Sequence, residues 1–177
     1  NTDTGLSLYY CTLTMEGGEV KGNTDSGIYI YNSTFTMNDG TLNIVSGGGA
    51  SNAGNLDEDT SAKGIKSDSY IVIAGGDITI DSADDGIHLN GTDGDEAITI
   101  TNGSITIAAG DDGIHSDYEL NIGTEGSDEG PDINIAKSYE GLEDGYIYKA
   151  YCRQKGIPLR VIETGRTYLR EYSPDDL

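Results

Sequence analysis

The sequence predicts an all-β fold, a parallel β-helix built as a solenoid of about six coils of ~22 residues, with a small α+β cap. Three observations predict it. Residues 2–20 laid over residues 24–42 match Leu6, Leu8, Tyr9, Thr12 and Thr14 with Ile28, Ile30, Tyr31, Thr34 and Thr36. A glycine followed by Ile or Leu recurs at Gly5, Gly27, Gly64, Gly86, Gly113 and Gly141. Short runs such as Ile71-Val72-Ile73, Ile78-Thr79-Ile80, Ile98-Thr99-Ile100, Ile105-Thr106-Ile107 and Ile133-Asn134-Ile135 place β-branched residues at period two, which suits half-buried strands and not amphipathic helices. No leucine-rich consensus accompanies the repeat, so the β-helix is preferred over a leucine-rich solenoid.

Along the chain, each anchoring glycine opens a coil, and each coil needs two or three short strands that pair with their copies in the next coil at ~4.8 Å. Stretches 46–61, 91–96 and 124–132 exceed the repeat and are rich in Gly, Asp, Asn and Ser, as solvated loops should be. After Asp144 the register fades and the charge balance turns basic, with all four arginines at or beyond Arg153. The expected division is therefore a β-helix over 1–144 and a cap or appendage over 145–177, in which 146–156 reads as a short helix and 159–172 as a hairpin. The run 151–159 also resembles part of a small ubiquitin-like modifier. Cys11 and Cys152 lie near opposite ends of the chain, a poor geometry for a disulfide if the coils stack in order.

A net charge of −21 makes nucleic acid a poor partner and cations good ones. No apolar run approaches the ~20 residues of a membrane span. Stacking coils turns sequence positions into columns. Asp84 falls over Asp111, and Asp85 over Asp112 and then Glu140; Lys66, His88, His115 and Glu143 form another column, and Asp68, Asn90 and Asp117 the next. Like charges ~4–5 Å apart repel by about 1 kcal/mol even in water. Calcium, which takes six to eight oxygen ligands at about 2.3–2.6 Å, relieves that repulsion. Asp84, Asp85, Asp111, Asp112, Asp117, Asn90, Asp68 and Glu140 are accordingly the candidate calcium ligands. Zinc is disfavoured for want of paired Cys and His. The plainer alternative is that Asp-Asp-Gly is turn chemistry, with Asp capping backbone N–H groups.

His88 and His115 are out of phase with Ile87 and Ile114 and are expected to face outward, either to hydrogen-bond a sugar or to pair with Asp85 and Asp112. Lys66 shares their column. Tyr9 stacks over Tyr31, with Tyr10 and Tyr29 nearby, an arrangement that suits flat sugar faces and equally suits cross-strand packing. The carbohydrate-binding candidates are His88, His115, Lys66, Tyr9 and Tyr31.

The phrases Ser82-Ala83-Asp84-Asp85-Gly86-Ile87-His88, Gly110-Asp111-Asp112-Gly113-Ile114-His115-Ser116-Asp117 and Ser138-Tyr139-Glu140-Gly141-Leu142-Glu143 resemble secreted bacterial carbohydrate-binding domain-containing proteins. That resemblance covers residues 63–144 most closely. It implies an acidic right-handed parallel β-helix like that of pectate lyases, calcium in the acidic ladders, and binding without catalysis to plant cell-wall polysaccharide such as cellulose or polygalacturonate. It also implies an extracellular or bacterial cell-surface location, and the sequence leaves open whether the chain is part of a larger extracellular protein. Two other classes stand beside it. A pectin-degrading enzyme needs two carboxyl groups flanking the bond, but the Gly-His-Gly and Arg-Ile-Lys that would complete a polygalacturonase site are missing, and no arginine precedes Arg153 to serve as a lyase base. A structural or adhesion module without a sugar ligand is the remaining alternative.

Overall fold

The alternating runs are strands in the computed structural model, which describes residues 3–57, 59–91, 94, 96–127, 129–144 and 147–150. They form three parallel sheets. The first stacks Leu6–Tyr9, Ile28–Tyr31, Ile65–Ser67, Ile87–Leu89, Ile114–Ser116 and Leu142–Asp144. The second stacks Thr12–Met15, Thr34–Met37, Tyr70–Ile73, Ala97–Ile100, Glu119–Ile122 and Ile147–Ala150. The third stacks Gly18–Asn23, Thr41–Ser46, Asp77–Ser82, Ser104–Ala109 and Asp132–Lys137. The chain visits the three sheets in turn, so each strand pairs with the equivalent strand one repeat away. Leu6 pairs with Ile28, Tyr9 with Tyr31, Thr12 with Thr34, and His88 with both Lys66 and His115, as the repeat alignment requires.

Phase within each strand decides what is buried. Successive side chains point to opposite faces, and one face of every sheet contributes to a single hydrophobic cluster. Ile28, Ile65, Ile87 and Ile114 enter it from the first sheet, Phe35, Ile71, Ile98 and Leu120 from the second, and Ile44, Ile80, Ile107 and Ile135 from the third. Each such side chain contributes about 1.5–3 kcal/mol when fully buried.

The anchoring glycines stack because neighbouring backbones touch there. Ile65 N–H donates to the Gly86 carbonyl at 2.9 Å and Ile87 N–H to the Gly113 carbonyl at 3.1 Å. A Cβ on Gly86 would lie 2.5 Å from the Gly113 oxygen and 2.5 Å from Ile107 Cγ2. Close approach, and not a left-handed backbone, demands glycine at that position.

Two elements differ from the sequence reading. Where a helix was expected from residue 146, Ile147–Ala150 is a strand paired with Glu119–Ile122, so the second sheet continues past the expected boundary. The open edge of Glu119–Ile122 supplies backbone partners that an isolated helical turn would lack. The rest of the expected cap, the ubiquitin-like run and Cys152 lie outside the described residues. The loop 46–61 holds a short 3-10 helix, Ala50–Asn55, whose first N–H is held by Asp81 Oδ1 at 2.7 Å. Among the described residues no helix is long and apolar enough to cross a membrane.

Candidate functional site

The repeat brings Asp84, Asp85 and Asp111 together, with one carboxylate oxygen of each within 4.8 Å of the others. A cation from the chain itself already reaches two of them. Lys63 Nζ lies 2.9 Å from Asp84 Oδ2 and 2.7 Å from Asp85 Oδ2. The sequence reading missed Lys63, although the same alignment that stacks Asp85 on Asp112 puts Lys63, the residue before Gly64, in that very column. Burial alone would raise the Asp85 carboxyl, but the His88 hydrogen bond, the Lys63 charge and the Asp112 N–H hold it well below the usual carboxylate range. Burial likewise opposes the Lys63 charge, and the Asp85 and Asp84 carboxylates outweigh it and push the ammonium up.

The column also serves the backbone. Asp85 Oδ1 accepts from Asp112 N–H, and Asp112 Oδ1 from Glu140 N–H, both at 3.0 Å, so each carboxylate caps the next repeat. The turn chemistry anticipated for these acids therefore runs between repeats as well as within them. Farther along, compensation runs out. Burial, then the hydrogen bond with Glu143, push Asp112 up to about 6 from its ordinary 3.8, and burial with the charges of Asp112, Asp85 and Asp84 raises Asp111.

These shifts carry a sign. The folded value of Asp112, about 6, lies above its unfolded 3.8, so the folded chain holds that proton more tightly and loses stability as pH rises between the two values. Asp111 acts in the same direction. Asp85 acts oppositely, contributing stability above its unfolded value of 3.8 that is lost only at lower pH. In chelator, the melting temperature is expected to be a few degrees higher at pH 5 than at pH 7, and Asp112→Asn should reduce that difference. An unchanged difference in Asp112→Asn would contradict the assignment.

The remaining sequence candidates separate. Asp68 accepts from Asn32 N–H and from Ser69 Oγ, each at 2.8 Å, and supports a corner of the chain. Asn90 is exposed, and its N–H donates to the Ser67 carbonyl at 2.8 Å. Glu140 is exposed and meets the ladder through its backbone. Asp117 lies 3.1 Å from His115 Nε2 and so joins the histidine column. His88 requires one correction: it holds the outer phase and pairs with Asp85, as one of its two expected roles had it, yet it is buried, because Nδ1 is drawn to Asp85 Oδ2 at 2.5 Å and its ring packs on His115. His115 remains partly exposed.

Farther toward the N-terminus the same face of the first sheet becomes aromatic. Tyr9 and Tyr31 are register partners with ring centroids 5.8 Å apart, Tyr29 lies 6.1 Å from Tyr9, and Tyr10 meets Tyr31 edge-on at 5.7 Å. Lys66 Nζ sits 5.8 Å from the centre of the Tyr29 ring, a distance at which a cation is attracted to the ring face. Tyr9 is 56% and Tyr10 74% exposed, so this cluster is a surface shelf and not core. Burial and the Asp68 charge raise the Tyr29 phenol, and a hydrogen bond with Tyr10 raises that of Tyr31, so both stay protonated near neutral pH.

Tyr10 and Asn32 turn equivalent corners with φ of 52° and 45°, a left-handed conformation that costs a residue other than glycine about 1 kcal/mol or more. Holding Tyr10 there aims an aromatic ring at solvent beside a groove of about 460 Å³ lined by Tyr10, Asn32, Ser33, Thr34, Ser69 and Tyr70. Tyr10, Tyr29 and Tyr70 were not among the sequence candidates. The spacing that pairs Tyr9 with Tyr31 shows a stack, but not that a strained corner adds Tyr10 to it.

Exposed rings beside hydroxyls and amides are the groups that hold a sugar. The sequence model of the carbohydrate-binding domain-containing protein family matches residues 9–113. Comparison with curated proteins and with solved structures finds no significant match in either. The match covers more than half of the chain and takes in the tyrosine shelf, Lys63 and most of the acidic ladder, and the chain belongs to the carbohydrate-binding domain-containing protein family.

Proposed function

We propose that the chain is a non-catalytic polysaccharide-binding module, a right-handed parallel β-helix stabilised by calcium and displayed outside the cell or on a bacterial surface. The observation that carries this reading is the shelf of exposed Tyr9 and Tyr10 on half-buried Tyr29 and Tyr31, beside a polar groove, in a chain of a carbohydrate-binding family. Pyranose rings present flat C–H faces that stack on tyrosine, while tyrosine hydroxyls and the groove's Ser, Thr and Asn groups bond the sugar hydroxyls. Plant cell-wall polysaccharide, cellulose or polygalacturonate, is the ligand class. Cellulose offers the flatter apolar faces.

Polygalacturonate, itself anionic, needs a cation to approach a chain of net charge −21. Asp84 and Asp111 suit calcium in donor chemistry, since their all-oxygen cluster holds more negative charge than Lys63 neutralises, and burial together with the Asp112, Asp85 and Asp84 charges raises Asp111. Asp85 is committed to Lys63, His88 and the Asp112 N–H and would act beside the ion. Calcium held there neutralises ladder carboxylates and links others to uronate groups.

The test combines cellulose pull-down with affinity electrophoresis in polygalacturonate. Tyr9→Ala and Tyr10→Ala should each weaken binding by about 2- to 10-fold, the effect of one aromatic contact, at an unchanged melting temperature. Excess chelator should reduce polygalacturonate binding and leave cellulose binding in place. Undiminished binding in the double tyrosine variant would remove the shelf from the account, and polygalacturonate binding indifferent to chelator, with the fold intact, would remove the bridge.

A further inference from the structure

The histidine column holds a feature that neither sugar binding nor an all-oxygen calcium site uses. His88 and His115 are register partners on adjacent strands, with ring centroids 4.5 Å apart. The His88 side chain is 9% exposed, its Nδ1 is held by Asp85 at 2.5 Å, and its Nε2 is buried with no hydrogen-bond partner. A buried polar atom left unpaired costs free energy that a ligand recovers. A carboxylate on one ring nitrogen with the other left open is also the arrangement that orients metal-binding histidines.

One neighbouring spacing matches that of a metal site, and a second is close to it. His115 Nδ1 lies 3.3 Å from Glu143 Oε2 and 3.6 Å from Asp112 Oδ2, the second too long for a good hydrogen bond. Bonds of ~2.0–2.1 Å at tetrahedral angles separate adjacent ligand atoms by about 3.3–3.4 Å. Two groups whose donor atoms lie within 4.8 Å of one another, Asp85 with His88 and His115, and Asp112 with His115 and Glu143, share His115.

We propose that this column is a second cation site, for a divalent transition metal of the zinc class, with the imidazoles of His88 and His115 as nitrogen donors and the carboxylates of Asp112 and Glu143 as oxygen donors. Asp85 is a positioning residue, acting through His88 Nδ1. Imidazole donors favour zinc-like ions over calcium, which prefers oxygen alone. The sequence argument against zinc was the lack of paired Cys and His. Residues 88 and 115 are far apart in sequence but paired across strands. The proposal is independent of the sugar reading; it shares Asp85, but no metal donor, with the oxygen cluster around Asp84.

The full chain, stripped with chelator, would be titrated calorimetrically with zinc chloride and with calcium chloride, and with cobalt(II) while visible absorption is recorded. One zinc ion should bind, and cobalt should show the intense ligand-field bands of a four-coordinate site. His115→Gln, at a partly exposed position that keeps the fold, should weaken zinc by more than about 100-fold, Asp85→Asn by about 10- to 100-fold, and Asp84→Asn not at all. Failure to take up zinc would overturn the proposal. So would zinc affinity retained in His115→Gln, or lost equally in Asp84→Asn, which would reduce the uptake to general attraction by an acidic surface.

Discussion

Gly86→Ala is expected to destabilise the chain by about 3 kcal/mol or more, roughly a fifth to more than half of the stability of an ordinary domain. One methyl group does this because it has nowhere to go. The added Cβ meets the Gly113 carbonyl oxygen at 2.5 Å and Ile107 Cγ2 at 2.5 Å. The oxygen cannot retreat without breaking its bond from Ile87 N–H, and Ile107 lies in the closed core. Gly54→Ala is the matched control, since a Cβ there meets nothing within 4 Å. It should be neutral or stabilise by up to ~1 kcal/mol by restricting the unfolded chain. Urea unfolding of the two variants checks both halves, and a Gly86→Ala variant as stable as Gly54→Ala would contradict the stacked-glycine packing.

Lys63→Met is expected to cost about 3–5 kcal/mol in chelator, the usual effect of leaving one partner of a buried ion pair alone. Methionine keeps most of the stem and removes the ammonium. The Asp85 side chain, 3% exposed, and that of Asp84, 18% exposed, are then left facing Asp111 with no positive charge between them. Calcium should restore much of the loss, because the cluster then has carboxylate oxygens free for an ion. Thermal unfolding of wild type and variant, each with calcium and with chelator, reads this directly. Calcium should raise the melting temperature of Lys63→Met more than that of wild type, and equal responses would detach calcium from this part of the ladder.

How much of this was legible in the sequence follows from which interactions are periodic. Ile71, Ile78, Ile98 and Ile105 could be placed inside because side-chain direction alternates strictly along a strand and pairing across repeats preserves phase. The columns Lys66–His88–His115–Glu143 and Asp85–Asp112–Glu140 were legible for the same reason. Phase says which face a residue occupies, not how deeply neighbours cover it. His88 sits on the outer phase and is nonetheless buried, by its bond to Asp85 and its contact with His115. The Tyr10 corner depends on a left-handed backbone that hydrophobic pattern does not encode. Ile147–Ala150 became a strand because an edge was available to pair with it, a tertiary condition with no local signature.

The central claim is that sugar binds on the tyrosine shelf, and amide NMR titration with cello-oligosaccharides and oligogalacturonates in calcium tests it most directly. Shift changes are expected to concentrate at Tyr9, Tyr10, Tyr31, Asn32, Ser69 and Tyr70, with the oligogalacturonate adding changes near Asp84 and Asp111. Saturable shifts elsewhere on the surface that leave the tyrosine shelf untouched would contradict it.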